Sequence, residues 1–281
     1  MVRVAGDGVK LVAHEWPAKG RASKTVVGIH GLTANHRCWA AMAKVLAPDF
    51  RFVSYDLRGR GDSDKPATGY SLAIHGRDLA ALLDHLGLHR AVLVGHSLGA
   101  AIALRFAVDH PTRVRRLVLI DGGLDVRAEV LDSLAPAIAR LGMEFPSLQA
   151  FLDRMRGLPM LAGRWNDALE DYFRYDVEML PSGAVRSKAA PTAIQEEIRN
   201  MQRERLWTLH HRVRCPTLIL RAPDGLLTAT DCLMTREEGQ GMAAAIPKAR
   251  LVEISGTNHY TVLMGGHPRV RAAVRTFLRE R

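Results

Sequence analysis

Short apolar runs alternate along this chain with longer stretches whose apolar positions recur every three or four residues. The runs read as strands at about Val9–Glu15, Thr25–Ile29, Arg51–Tyr55, Ala91–Gly95, Val114–Ile120, Thr217–Arg221 and Arg250–Ile254. From Thr25 onward these runs are nearly continuous in Val, Ile and Leu, the pattern of strands buried on both faces. Helical patterns lie near Cys38–Leu46, Ile74–Leu86, Ser97–Val108, Glu237–Ala245 and Pro268–Arg279. Strand followed by helix followed by strand predicts an α/β fold. Its mostly parallel central sheet, of about eight strands, is flanked by helices. The two early segments can form an antiparallel leading hairpin.

The alternation stops between about Gly122 and Val213. Helical patterns recur there over Val126–Leu141, Ser147–Arg156, Trp165–Tyr175 and Pro191–Leu209, with no convincing strand. This predicts a core of residues 1–121 and 214–281, with a helical lid, residues 122–213, inserted after the sixth strand. The lid is rich in methionine and aromatic residues, which must point partly downward to be buried. Together they imply an apolar acyl pocket. Phe145, Met155 and Trp165 are its candidate substrate contacts.

One strand-to-helix corner carries chemistry. Gly95-His96-Ser97-Leu98-Gly99 follows the Ala91–Val94 run and opens a helix that ends at His110-Pro111. A serine there sits on a sharp turn that lifts its hydroxyl clear of the sheet, and the flanking glycines avoid crowding by a Cβ. The Leu98 N–H at the helix start is placed to stabilise an oxyanion. His30-Gly31-Leu32-Thr33 follows the Thr25–Ile29 strand, and its Leu32 N–H is the candidate second donor. Gly31 lets the chain turn close to a substrate. Gly256-Thr257-Asn258-His259 follows the last strand and brings an imidazole to the same sheet edge as Ser97. Asp56 through Ser63 reads as a tight structural loop.

Composition narrows the classes. The chain has 281 residues, 47% of them hydrophobic, enough for one large core. A formal net charge of +10 comes from 39 basic and 29 acidic residues. The arginines are scattered rather than striped with aromatics, which argues against a nucleic-acid partner. No apolar run reaches membrane-spanning length, so no membrane insertion is expected. The first residues lack an apolar signal core. Cys38, Cys215 and Cys232 have neither a disulfide count nor zinc spacing, consistent with reduced thiols in a cytoplasmic protein. No metal site or cofactor is implied, and no oligomeric state can be read.

The ordered set His30-Gly31, Asp56 through Ser63, Gly95 through Gly99 and Gly256 through His259 resembles the α/β-hydrolase fold superfamily. The likeness is to its lidded subgroup of esterases, lactonases, C–C bond hydrolases and cofactor-free haloperoxidases. The resemblance implies Ser97 as nucleophile, His259 as base, and Leu32 and Leu98 as oxyanion-hole amides. Gly31, His96 and Tyr260 join the lid residues as candidate substrate contacts. It leaves the acid open. In most members the acid follows the strand that is here Thr217–Arg221, which points to Asp224. A subset resembling haloalkane dehalogenases carries it one strand earlier, which points to Asp121, and the register leans that way. The implied activity is serine-dependent cleavage of a small-molecule carboxylic ester or lactone, acyl-homoserine lactones included, through an acyl-enzyme. Rival readings are a C–C bond hydrolase, a haloperoxidase or perhydrolase, and a ligand receptor without turnover on the same scaffold.

Overall fold

The computed structural model describes residues 2–20, 24–228, 230–264 and 266–280; end positions 1 and 281 of the expected core lie outside these. In chain order the elements are β1 (Val2–Ala5), β2 (Lys10–Trp16), β3 (Thr25–Ile29), α1 (Ala40–Leu46), β4 (Arg51–Tyr55), α2 (Leu72–His85), β5 (Ala91–His96), α3 (Leu98–Asp109) and β6 (Val114–Ile120). An intervening segment carries α4 (Ala128–Ala139), β7 (Glu144–Phe145), α5 (Leu148–Arg156), α6 (Asp167–Asp176), β8 (Val177–Met179), β9 (Val185–Ser187) and α7 (Pro191–Met201). The chain then returns through β10 (Thr217–Arg221), α8 (Arg236–Ala245), β11 (Ala249–Glu253) and α9 (Pro268–Arg279).

Eight strands form one sheet in the order β1-β2-β4-β3-β5-β6-β10-β11. The strands from β4 to β11 pair in parallel, while β2 runs antiparallel to both β1 and β4. The leading hairpin therefore lies wholly before Thr25, and β3 is a central parallel strand. Val2–Ala5 is the strand missing from the sequence reading. Its four residues are too few for an alternation to stand out.

Burial follows the apolar pattern. Val26, Val27 and Ile29 of β3 and Val92, Leu93 and Val94 of β5 are fully buried, because helices cover both faces. Buried residues of α2, α3 and α8 pack on one face, and those of α1 and α9 on the other. In α9 the buried positions Val270, Val274, Phe277 and Leu278 fall on one helical stripe behind a proline at the N-terminus. Thr235 and Glu238 close a reciprocal capping box on α8.

The segment between β6 and β10 is not purely helical. It holds a three-stranded antiparallel sheet in the order β7-β9-β8. Strands of two or three residues carry no readable period, so the expectation of a strand-free insertion fails there. Phe151, Leu152, Met155, Leu169 and Phe173 of this segment join the apolar cluster on the α1–α9 face. Among the described residues no helix is long and apolar enough to cross a membrane.

Candidate active site

Ser97 stands between β5 and α3 with φ 56° and ψ −121°, in the left-handed region that non-glycine residues avoid. The surroundings hold it there. Its N–H donates to the Ile120 carbonyl at 3.1 Å, and its carbonyl accepts from the Ala100 N–H at 2.9 Å. A Cβ on Gly95 would press into the backbone of Gly99 and Ala100, and one on Gly99 into the carbonyls of Ile29 and His30. The glycines are thus the condition for β3, β5 and α3 to meet at this point. The Ser97 hydroxyl does not cap α3, so it is left free for chemistry.

The loop after β3 folds over the serine. A Cβ on Gly31 would lie 3.2 Å from Ser97 Cβ, so the turn is as close as the chain permits. The Leu57 N–H donates to His30 Nε2 at 3.0 Å, which puts the ring proton on Nδ1, 2.8 Å from the Gly31 carbonyl. That carbonyl shares its peptide plane with the Leu32 N–H, so His30 fixes the direction of the amide. The Leu98 N–H is among the helix-start donors that α3 itself cannot pair.

His259 reaches the same place from the loop after β11. Asn258 shapes that loop by accepting the N–H groups of Tyr260 (3.1 Å) and Thr261 (3.0 Å). His259 Nδ1 lies 2.8 Å from Asp121 Oδ2, and both residues are buried. Asp121 Oδ1 accepts the Ala222 N–H at 3.1 Å, which fixes the carboxylate plane. Asp121 also has a positive φ of 45°, at the end of β6. Asp224 is not brought to the ring. Its carboxylate is 44% exposed and 3.8 Å from Arg164, while its backbone N–H donates to the Thr257 carbonyl at 3.0 Å. Position 224 thus braces the histidine loop through the main chain.

Two adjoining cavities meet at Ser97. One is lined by Leu32, Leu98 and apolar side chains that include Val130, Leu134 and Ile198 from α4 and α7. The other is lined by Gly31, His96, His259, Tyr172 and Tyr260. The candidate contacts Gly31, His96 and Tyr260 therefore stand at the cavity. Phe145, Met155 and Trp165 do not line either one. Met155 is buried, Phe145 packs edge-on to Phe151 at 5.2 Å, and Trp165 stacks on Phe173 at 5.4 Å. These apolar side chains consolidate the inserted segment instead. The residues that do form the apolar wall come from α4, α7 and the β6–α4 connection, where a helical period was visible but not which side faces the serine.

Two histidines beside the site are buried without charge. Burial pushes His30 down to about 3 against the pull of Asp56. Burial, and then His259, hold His96 well below the usual histidine range. The His96 ring stacks on His259 at 4.6 Å and donates from Nε2 to the His259 carbonyl at 2.8 Å. In the unfolded chain both take up a proton near pH 6.5. Folded-state pKa values below the unfolded value mean that stability is full above that pH and drains as pH falls. Each histidine removes about 1.4 kcal/mol per pH unit below 6.5. The urea midpoint should therefore fall steadily between pH 7 and pH 5; a flat midpoint over that range contradicts neutral burial.

Buried charges tie the inserted segment to the loops around the serine. Arg60 donates to the Leu32 carbonyl at 3.0 Å and to Glu197 of α7 at 3.1 Å, and His75 lies 2.7 Å from the same Glu197 oxygen. Burial would raise the Glu197 pKa, but His75 and Arg60 outweigh it and hold it at about 2. Asp56 is likewise buried and accepts from the His36 N–H, the Asp62 N–H and the Tyr175 hydroxyl. This matches the reading of its loop as structural.

Comparison with known proteins places the fold. A family model described as alpha/beta hydrolase fold matches residues 24–265. A 2-(acetamidomethylene)succinate hydrolase of Mesorhizobium japonicum is 29% identical over 237 residues, 82% of this chain and 80% of the relative. A Klebsiella pneumoniae protein, provisionally named carbamate hydrolase RutD, is 30% identical over 255 residues, covering 86% and 87%. A crystal structure of an E-2-(acetamidomethylene)succinate hydrolase superposes with a TM-score of 0.84 at 26% identity, covering 99% of this chain and 98% of that one.

Proposed function

We propose that this chain, which belongs to the alpha/beta hydrolase fold family, is a serine hydrolase that cleaves a carboxylic ester or lactone through an acyl-enzyme. The observation that carries the reading is the Asp121–His259 contact of 2.8 Å beside a serine held at a strained strand-to-helix corner.

In this reading His259 Nε2 takes the Ser97 proton as Oγ bonds to the carbonyl carbon. The carbonyl π electrons move onto oxygen, which meets the Leu32 and Leu98 N–H groups; losing one such donor typically costs about 100- to 1000-fold in rate. Asp121 holds the ring proton on Nδ1 and stabilises the imidazolium. The C–O bond to the leaving alcohol then breaks, and that alcohol takes the proton from His259. Water repeats the sequence in the second half and releases the acid. Residues 122–213 serve as a cap, with α4 and α7 supplying the apolar wall over the reacting carbon. The relatives named for an acetamidomethylene group and for carbamate cleavage recommend a C–N substrate alongside the esters.

The test is a panel of nitrophenyl acyl esters, lactones, acyl-homoserine lactones and one N-acyl enamine, run beside labelling with a fluorophosphonate. Turnover of at least one ester or lactone and a single adduct on the peptide containing Ser97 are expected. An inert panel together with an unlabelled serine overturns the reading.

A further inference from the structure

The cavity of Ser97 and His259 continues into a pocket reached past Thr33, Ala137, Tyr172, Tyr260 and Met264, whose far wall includes Arg140. Arg140 caps the end of α4 and is 6% exposed. Its guanidinium makes three hydrogen bonds: to the Ala137 carbonyl at 2.8 Å, the Thr33 carbonyl at 3.2 Å and Asp176 at 3.1 Å. A guanidinium carries five N–H donors, so two remain, the Nε–H among them. Tyr172 is 3% exposed, and it and Tyr260 line both spaces. Among the described residues neither hydroxyl has a hydrogen-bond partner. A buried cation with spare donors and two phenols without a protein hydrogen-bond partner line one pocket, open to it rather than sealed inside the protein, and are placed to receive an anion.

We propose that Arg140, Tyr172 and Tyr260 form a carboxylate subsite, so that the substrate is an ester or amide bearing a second, ionised carboxylate. This rests on the serine-hydrolase reading and narrows its substrate class. Further observations fit. Asp176 faces Arg140 but is itself occupied by Ser187 at 3.1 Å and Asn35 at 3.4 Å. It holds the guanidinium in place without taking all of its donors. Burial opposes the charge on Arg140, but Asp176 together with Tyr172 and Tyr260 outweighs it and Arg140 stays protonated. Burial pushes Tyr260 up to about 12 and Tyr172 well above the usual range, so both remain O–H donors to an anion. The apolar cavity on the other side of Ser97 takes the remainder of the molecule. The net charge of +10 draws such anions toward the protein in general.

The experiment separates binding from turnover. Monoethyl and diethyl esters of succinate, glutarate and adipate are titrated by calorimetry into the Ser97→Ala protein. The same titrations are run with Arg140→Lys, and with Tyr172→Phe and Tyr260→Phe together, added to it. The paired phenylalanines remove only hydroxyls that no protein group uses, so they keep the test alive if the arginine variant does not fold. At least one half ester should bind about tenfold or more tightly than its diester, and either change should erase most of that preference. Equal binding of half ester and diester, or a preference untouched by the two phenylalanines, overturns the subsite. The serine-hydrolase reading fails separately. Half esters that bind, beside an inert panel and an unlabelled serine, sink that reading and leave the subsite standing; ester turnover without anion preference does the reverse.

Discussion

Ser97→Ala should lower kcat/KM on the best ester of the panel by at least about 10⁴-fold while the protein folds as before. The reason lies in what the hydroxyl does and does not do here. It is not spent on capping α3. The backbone strain at φ 56° is unchanged, because alanine meets the same Cβ penalty as serine in that region. Packing is nearly untouched, so the thermal midpoint should stay within a degree or two. On the proposed reading only the nucleophile is lost, and residual rate should come from water attacking within the oxyanion hole. A variant retaining a tenth of the activity rules out covalent catalysis at this position.

Asp121→Asn carries the second large effect, a loss of about 10⁴-fold in kcat, set against a change of less than about threefold for Asp224→Asn. An asparagine at position 121 still reaches the ring, so geometry survives. Its amide nitrogen presents a donor where His259 Nδ1–H needs an acceptor, which favours the wrong tautomer and removes the charge facing the imidazolium. The Asp224 side chain is half in solvent near Arg164, and its main-chain bond to Thr257 survives the substitution. Steady-state rates on one nitrophenyl ester suffice. Equal losses for the two variants would mean that the acid is shared or supplied elsewhere.

Much of the scaffold was legible because its signals are local. The parallel strands show as unbroken apolar runs, and the elbow announces itself because only glycine fits at positions 95 and 99. The acid was harder. Asp121 and Asp224 both end or follow a strand on the same sheet edge, and only the fold decides which carboxylate faces His259. The inserted segment was least legible. An apolar residue signals burial without saying against what, so Phe145, Met155 and Trp165 read like pocket residues while joining the apolar cluster of the inserted segment, Phe145 on Phe151 and Trp165 on Phe173. Arg140 gave no signal at all among 39 basic residues. Its place beside Tyr172 and Tyr260 depends on how α4 and α6 are laid over the core.

The triangle of Arg60, Glu197 and His75 sets how firmly the inserted segment is tied to the sheet edge. All three side chains are fully buried, and they fasten α7 to the very loop that supplies the Leu32 amide. Parting α7 from the core would leave Arg60 buried without its carboxylate, at about 3–5 kcal/mol for a broken pair. On the proposed reading, any cap that residues 122–213 form over Ser97 is therefore anchored at its α7 end, and a substrate that needs it to part must supply that energy by binding.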